Sequence, residues 1–169
     1  MIRGATPDDA AALAGVQLRA WWRAYAEWVD PERFGTLEER VGRWRELLAQ
    51  PDGLRRSTLV FDQAGLLAGF ASVGPARDDD ATPATGELMA VYVDPVAQGA
   101  GVGGALLDAA EGRLRSDGYA DAVLWVLAEN AMARELYERR GWVLEPAELV
   151  QAQHGLDWWA PATRYRLAL

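Results

Sequence analysis

Apolar residues recur along this chain either at the three- to four-residue spacing of a helix or in the short runs typical of strands, and these patterns predict where helices and strands lie. After a short strand candidate, IRGA, Thr6 stands as a helix N-cap with Pro7 at the first helical position. Helical spacing then runs through AAALAGVQLRAWWRAYAEWV and ends before Pro31. A second amphipathic helix is predicted over TLEERVGRWRELLAQ, on the apolar positions Leu37, Val41, Trp44, Leu47 and Leu48.

The remaining two thirds of the chain alternate between strand and helix patterns. STLVFDQAGLLAGFASVG predicts a β-hairpin that turns at Gln63 to Gly65, and PARDDDATPATG predicts an exposed loop. Helices are predicted from Gly101 to Leu114, closed by Gly118, and over NAMARELYERRG. Further strands are predicted over ELMAVYV, DAVLWVL, WVLEPAELV and ATRYRLAL. This order predicts a mixed α/β layer protein with a partly antiparallel sheet, in a single domain over 1–169.

Composition narrows the function classes. Half of the 169 residues are apolar and a quarter are charged, as in soluble globular proteins, and we see neither a membrane span nor a secretory signal. A net charge of −8 argues against nucleic acid or anionic membranes as partners. The absence of cysteine favours the cytoplasm and excludes a thiolate nucleophile, and a single histidine, His154, excludes a multi-histidine metal site. We therefore expect no metal.

The stretch VDPVAQGAGVGGALL places a cluster of glycines between a predicted strand and a predicted helix. Glycines before a helix N-terminus expose its unpaired N–H groups, so an anion such as a pyrophosphate can sit against them. The alternative is a tight turn packed against the sheet. GAGVGG formally matches the dinucleotide fingerprint, but DPVAQ separates it from the strand and the expected acidic residue is misplaced. A nicotinamide-dependent oxidoreductase is therefore the least favoured reading.

Two motifs together resemble the GNAT superfamily of N-acetyltransferases. ELMAVYVDPVAQGAGVGGALLDAA is similar to the acyl-CoA-binding motif, in which a strand leads through Q/R-x-x-G-x-G/A into a helix; Gln98, Gly101 and Gly103 occupy its fixed positions. ENAMARELYERRGW matches the second hallmark, an Asn-initiated helix with a Tyr before a Gly and an aromatic residue. IRGATPDDAAALAGVQLRAWWRAY is similar to the N-terminal strand and paired helices, so the resemblance covers nearly the whole chain.

The resemblance implies a central mixed, mostly antiparallel sheet with about four helices and a splayed parallel strand pair that holds acetyl-CoA. Pantetheine amides would pair near Val91 and Val93, and Asn130 would touch the pantetheine arm or merely cap its helix. Ala100 departs from the motif, which often has Arg or Lys there. The 3′-phosphate could meet Arg134, Arg139 or Arg140. The pyrophosphate would meet the backbone of Gln98, Gly99, Ala100, Gly101, Val102, Gly103 and Gly104.

Acetyl transfer to an amine requires the neutral amine, and a lysine-like amine is unprotonated in only about one molecule in a few thousand at neutral pH. GNAT relatives carry a base where Glu87 opens ELMAVYV, so Glu87 is the predicted base; the alternative is an ordinary strand-end carboxylate. Tyr137 is the predicted proton donor to the CoA thiolate, against a core-packing role. The backbone N–H of Ala90 or Val91 would stabilise the oxyanion.

The acceptor amine is not specified by the sequence, but aromatic residues in AWWRAYAEW offer it a surface. Trp21, Tyr25 and Trp28 share one helix face with Trp22 alongside; most of them should be core. Because the family places this helix junction beside the acceptor, Trp22, Tyr25 and Trp28 are candidate substrate contacts. We expect an enzyme that acetylates a primary amine of a small molecule or peptide by direct attack in a ternary complex. The alternative is a non-catalytic acyl-CoA-binding module, and a homodimer is possible.

Overall fold

The computed structural model describes residues 1–25, 27, 30–50, 56–152 and 159–169, without the side chains at 31, 33, 147–152, 159 and 160. The strands are β1 (Ile2–Gly4), β2 (Ser57–Gln63), β3 (Leu66–Pro75), β4 (Thr85–Val93), β5 (Asp121–Leu127), β6 (Val143–Ala152) and β7 (Trp159–Ala168). The helices are α1 (Ala10–Tyr25), α2 (Leu37–Ala49), α3 (Val102–Ser116) and α4 (Ala131–Arg139). Among the described residues no helix is long and apolar enough to cross a membrane.

All seven strands form one sheet in the order β1-β2-β3-β4-β5-β7-β6. Every neighbouring pair is antiparallel except β4 and β5, which run parallel. The predicted mixed, mostly antiparallel sheet with one parallel pair is therefore confirmed. Because β7 lies between β5 and β6, the last two strands fold back as a hairpin onto the parallel pair.

Local sequence signals explain most element boundaries. The Thr36 hydroxyl accepts from the Glu39 N–H at 3.2 Å while the Glu39 carboxylate accepts from the Thr36 N–H at 2.8 Å, so a capping box starts α2. Ala64 and Gly65 both have positive φ and close the predicted β2–β3 hairpin. Thr6 starts a 3₁₀ turn that runs into α1, and α1 is described to Tyr25, while part of its predicted extension to 29 lies outside the described residues.

The two faces of the sheet carry different helices. On one face α3 and α4 cover the main core, to which β4 contributes Leu88, Val91 and Val93. On the other face α1 and α2 cover Val60, Phe70, Ala90 and Tyr92. Register on β4 changes midway, because Val73 of β3 pairs with Leu88 while Ser72 pairs with Ala90. Met89 is thus the extra residue of a β-bulge, which the sequence did not predict.

Candidate active site

The parallel pair opens shortly after it begins. β4 and β5 are paired only from Thr85 to Glu87 and from Asp121 to Val123, although β4 continues to Val93 and β5 to Leu127. We call the gap bounded by residues 88–93 and 124–127 the β4–β5 wedge. Unpaired strand backbone inside a protein is costly, so a wedge of this kind is suited to a ligand that completes the ladder.

The glycine loop, residues 98–104, joins the wedge to α3. Gly99 and Gly101 have φ of +80° and +81°, a region in which side-chain-bearing residues are strained, so the turn itself requires these two glycines. The first helical hydrogen bond runs from the Ala105 N–H to the Gly101 carbonyl at 3.1 Å. The N–H groups of residues 102–104 therefore precede the helical hydrogen-bond ladder and are free to bind an anion.

Gly103 and Gly104 are different, because the fold does not require them. A Cβ at Gly104 would meet no atom of the chain within 4 Å, and one at Gly103 would meet only Val93 Cγ2 at an ordinary 3.6 Å. Both lie in the first turn of α3, where glycine is less favourable than alanine by up to about 1 kcal/mol. Unlike the other open glycines of the helices, these two adjoin the free N–H groups of residues 102–104, so the absence of side chains there leaves room for a ligand to approach the backbone.

An ion pair fixes the start of the glycine loop against α1. Asp94 is buried and caps the following turn by accepting from the Val96 N–H at 3.2 Å. Its other oxygen accepts from Arg19 Nη2 at 2.5 Å and from Arg19 Nε at 2.9 Å. The loop is thereby connected to the helix that carries the predicted acceptor contacts.

Glu87 lies on the face covered by α1 and α2 and is only 4% exposed. Arg77 donates two hydrogen bonds to it, from Nη2 to Oε1 at 2.6 Å and from Nε to Oε2 at 2.9 Å. These bonds raise the pKa of Arg77. Arg77 lies in PARDDDATPATG, which the sequence analysis predicts as an exposed loop, so this partner was missed. No local pattern specifies the path of the loop that brings Arg77 back to Glu87. The role of Glu87 as base stays a prediction.

Three tyrosines, Tyr25, Tyr92 and Tyr137, influence one another electrostatically where α1, β4 and α4 meet. Burial raises the pKa of Tyr25 and of Tyr137, and in each case the nearby Tyr92 raises it further. The Asn130 side chain hydrogen-bonds to the Tyr25 hydroxyl while its Oδ1 accepts from the Ala133 N–H at 3.2 Å. The predicted acceptor contact, proton donor and pantetheine contact thus lie together, and Tyr92 is a member that sequence reasoning missed.

The tryptophans of α1 differ in exposure, and not all of the aromatic residues considered for the acceptor lie in the described part of the chain. Trp22 is 52% exposed with its ring centroid 6.1 Å from that of Phe34, whereas Trp21 is buried against Phe34 and Tyr92. Trp28 and His154 lie outside the described residues.

All three arginines considered for the 3′-phosphate have intramolecular partners. Arg140 pairs with Glu111 and Asp108, Arg134 bonds to Tyr165 and the Ala128 carbonyl, and Arg139 pairs with Glu135. Arg139 and Glu135 are both mostly exposed, so a phosphate can displace that pair most easily.

Comparison with known proteins finds acetyltransferases among both the sequence relatives and the solved structures that resemble this chain. A mycothiol acetyltransferase from Kocuria rhizophila is 37% identical over 124 residues, covering 70% of this chain and 39% of that protein. The chain spans less than half the length of the mycothiol acetyltransferases that it matches. The crystal structure of a ribosomal-protein-alanine N-acetyltransferase from Brucella melitensis superposes with a TM-score of 0.78 at 27% identity, over 100% of this chain and 99% of that one.

A second solved structure was obtained with a ligand. YncA of Salmonella typhimurium, solved with its cofactor acetyl-CoA, superposes with a TM-score of 0.73 at 28% identity, over 99% of this chain and 92% of that one. The model of the acetyltransferase (GNAT) family matches residues 16–142. The chain therefore belongs to the acetyltransferase (GNAT) family, as its two motifs predicted.

Proposed function

We propose that this protein transfers the acetyl group of acetyl-CoA to a primary amine of a small molecule or peptide, by direct attack in a ternary complex. The observation that carries the proposal is the pair Gly103 and Gly104, which leave the unpaired N–H groups of residues 102–104 uncovered by side chains. They open the N-terminus of α3 to a diphosphate beside a wedge of unpaired strand. Family membership favours coenzyme A over a dinucleotide as the owner of that diphosphate.

The residues present fit the cosubstrate. The N–H groups of residues 99–104 would hold the pyrophosphate, whereas the Gln98 N–H already donates to the Pro95 carbonyl at 3.4 Å. The free edge of β4 near Val91 and Val93 would pair with the pantetheine amides. Ala100 is exposed and supplies no cation, so the backbone has to provide most of the phosphate binding. When bound, acetyl-CoA supplies the activated acyl group.

The chain's own groups supply the proton transfers in this proposal. Glu87 takes the proton of the incoming ammonium, directly or through water, once an acceptor competes with Arg77 for its carboxylate. The β-bulge at Met89 interrupts the β3–β4 ladder next to Ala90 and Val91, whose N–H groups are the proposed oxyanion donors. The Tyr137 phenol is protonated at neutral pH, because the ordinary pKa of tyrosine is already near 10 and burial raises it further, so a proton is available for the departing thiolate.

Two measurements test the proposal. Titration calorimetry with coenzyme A should show saturable binding, and no heat at saturating coenzyme would refute it. Thiol release from acetyl-CoA is then followed with polyamines, aminoglycosides, amino acids and peptide N-termini. Amines related to mycothiol belong in the panel because several relatives carry that name. Binding without turnover on any acceptor would favour the non-catalytic acyl-CoA-binding alternative.

A further inference from the structure

A polar cluster lies on the α1–α2 face of the sheet, where the ends of β2, β3 and β4 meet. Thr58 and Ser72 pair across β2 and β3, and their hydroxyls are 3.0 Å apart. Glu87 pairs with Gly74, two residues beyond Ser72, and so shares this face. Arg56 precedes β2 by one residue and is two residues before Thr58, which places it in the same row. We call Arg56, Arg77 and Glu87 the arginine cluster.

The arginine cluster holds more positive than negative charge. Arg77 already occupies both oxygens of Glu87, at 2.6 and 2.9 Å. Arg56 is half-buried, and among the described residues none accepts a hydrogen bond from its buried Nε. Burial and the charge of Arg77 both lower the pKa of Arg56, whereas Glu87 raises it. Within the part of the chain that the structure describes, no carboxylate forms a salt bridge with Arg56, in a protein whose net charge is −8.

An unpaired, partly buried guanidinium is expensive unless something neutralises it. Guanidinium groups match carboxylates and phosphates, which accept two parallel hydrogen bonds from their planar fork. The cluster carries a net charge of +1, which one carboxylate neutralises. A phosphate dianion would exceed that charge and would be repelled by the neighbouring Glu87. A planar, singly charged carboxylate matches both the fork of the guanidinium and the charge of the cluster.

We propose that Arg56, assisted by Arg77, binds a carboxylate carried by the amine acceptor. The inference rests on the proposed function and adds a substrate class to it. The ammonium of an α-amino acid and its carboxylate lie only a few bonds apart, so the acceptor can place its ammonium at Glu87 and its carboxylate at Arg56. Arg77 is about half exposed, so it can turn from Glu87 to the same carboxylate as the acceptor arrives. Polyamines and aminoglycosides lack this group and are poor acceptors on this view.

Matched acceptor pairs test the inference. Each α-amino acid is compared with its own carboxamide by thiol release at saturating acetyl-CoA. The amine of a carboxamide is less basic and more often neutral, so intrinsic reactivity favours the amide, and a preference for the free acid must come from the protein. We expect kcat/KM for the acid to exceed that for the amide by roughly tenfold to a hundredfold, the usual effect of a hydrogen bond to a charged group.

Variants at Arg56 test whether this residue causes the preference for the free acid over the amide. In Arg56→Gln the acid-to-amide ratio of kcat/KM should fall towards one, because any effect of the lost charge on Glu87 is shared by both acceptors, and Arg56→Lys should retain part of the preference. Arg113→Gln is the matched control, because Arg113 pairs with Asp117 on the far side of α3 and should leave the acid-to-amide ratio unaltered. An amide that equals or exceeds its acid in the wild type, or a ratio that persists in Arg56→Gln, overturns the inference.

Coenzyme titration separates this inference from the proposed function. If coenzyme A does not bind, both fall. If coenzyme A binds and only amines without a carboxylate are acetylated, the proposed function stands and the carboxylate site is refuted. Should no acceptor turn over, N-acetylglycine and N-acetylglycinamide are titrated into the coenzyme-bound protein. Tighter binding of the acid, abolished in Arg56→Gln, supports the site, and equal or absent binding of the two overturns it.

Discussion

Replacing Gly104 by alanine should move stability and coenzyme binding in opposite directions. An added Cβ meets no chain atom within 4 Å, and the backbone there is ordinary helix, so the fold loses nothing. Alanine is favoured over glycine in a helix by about 0.5–1 kcal/mol. For a chain of this size that raises Tm by about 1–4 °C. The same methyl group occupies the space over the N–H groups that would bind the pyrophosphate.

The expected loss in binding follows from the hydrogen bonds at stake. Displacing a phosphate from one or two backbone donors removes charge-assisted bonds worth about 1.5–3 kcal/mol each, so Kd for coenzyme A should rise at least about tenfold. Titration calorimetry measures Kd, and scanning calorimetry without ligand measures Tm.

Gly112→Ala provides the control, because Gly112 is an exposed glycine in the same helix with open space around its Cα. It should raise Tm without changing Kd. If Gly104→Ala binds coenzyme A as tightly as the wild type while this control behaves as expected, the assignment of the glycine loop to the pyrophosphate is wrong.

Three further predictions concern side chains. Glu87→Gln should lower kcat by roughly 10²–10⁴ while Kd for coenzyme A stays near normal, because a base contributes to chemistry and not to cosubstrate binding; unchanged kcat would remove Glu87 from the mechanism. Tyr137→Phe keeps the ring in the core and loses only the hydroxyl, so kcat should fall with little change in Tm, and a large fall in Tm with normal kcat would indicate a packing role alone. Hydrogen bonds from Arg3 lower the pKa of Asp9 from 3.8 to about 2, so the stability that the pair contributes is complete above about pH 4 and disappears as the pH falls through 2. Asp9→Asn should therefore lower the free energy of unfolding at pH 7 by at most about 2 kcal/mol, and by less if solvent screens the partly exposed Arg3. In urea titrations the difference in this free energy between variant and wild type should shrink by pH 2, and a difference that stays constant with pH would refute the assignment.

Local signals made the elements predictable to within a few residues. Thr36 with Glu39, and the glycines at 65, 118 and 141 with positive φ, act through neighbours in the chain, so their effect is visible in the sequence. The glycine loop was predictable for the same reason. Four glycines stand between residues 99 and 104, and such a cluster is visible in the sequence without knowledge of any long-range contact.

Contacts between distant segments were not predictable. The insertion of β7 between β5 and β6 depends on long-range pairing, and the bulge at Met89 depends on how β4 aligns with β3. The Arg77–Glu87 pair and the unpartnered Nε of Arg56 appear only when three strand ends are brought side by side. The proposed carboxylate site rests on these interstrand features.

The β4–β5 wedge also has a consequence for the lifetime of the protein. A sheet interrupted in its middle is least stable when nothing fills the interruption, so a coenzyme bound as proposed would stabilise the folded state as well as react. A ligand present at a hundred times its Kd adds about 2.7 kcal/mol to the free energy of unfolding. If the proposed function holds, the supply of acetyl-CoA would influence how long each molecule survives proteolysis.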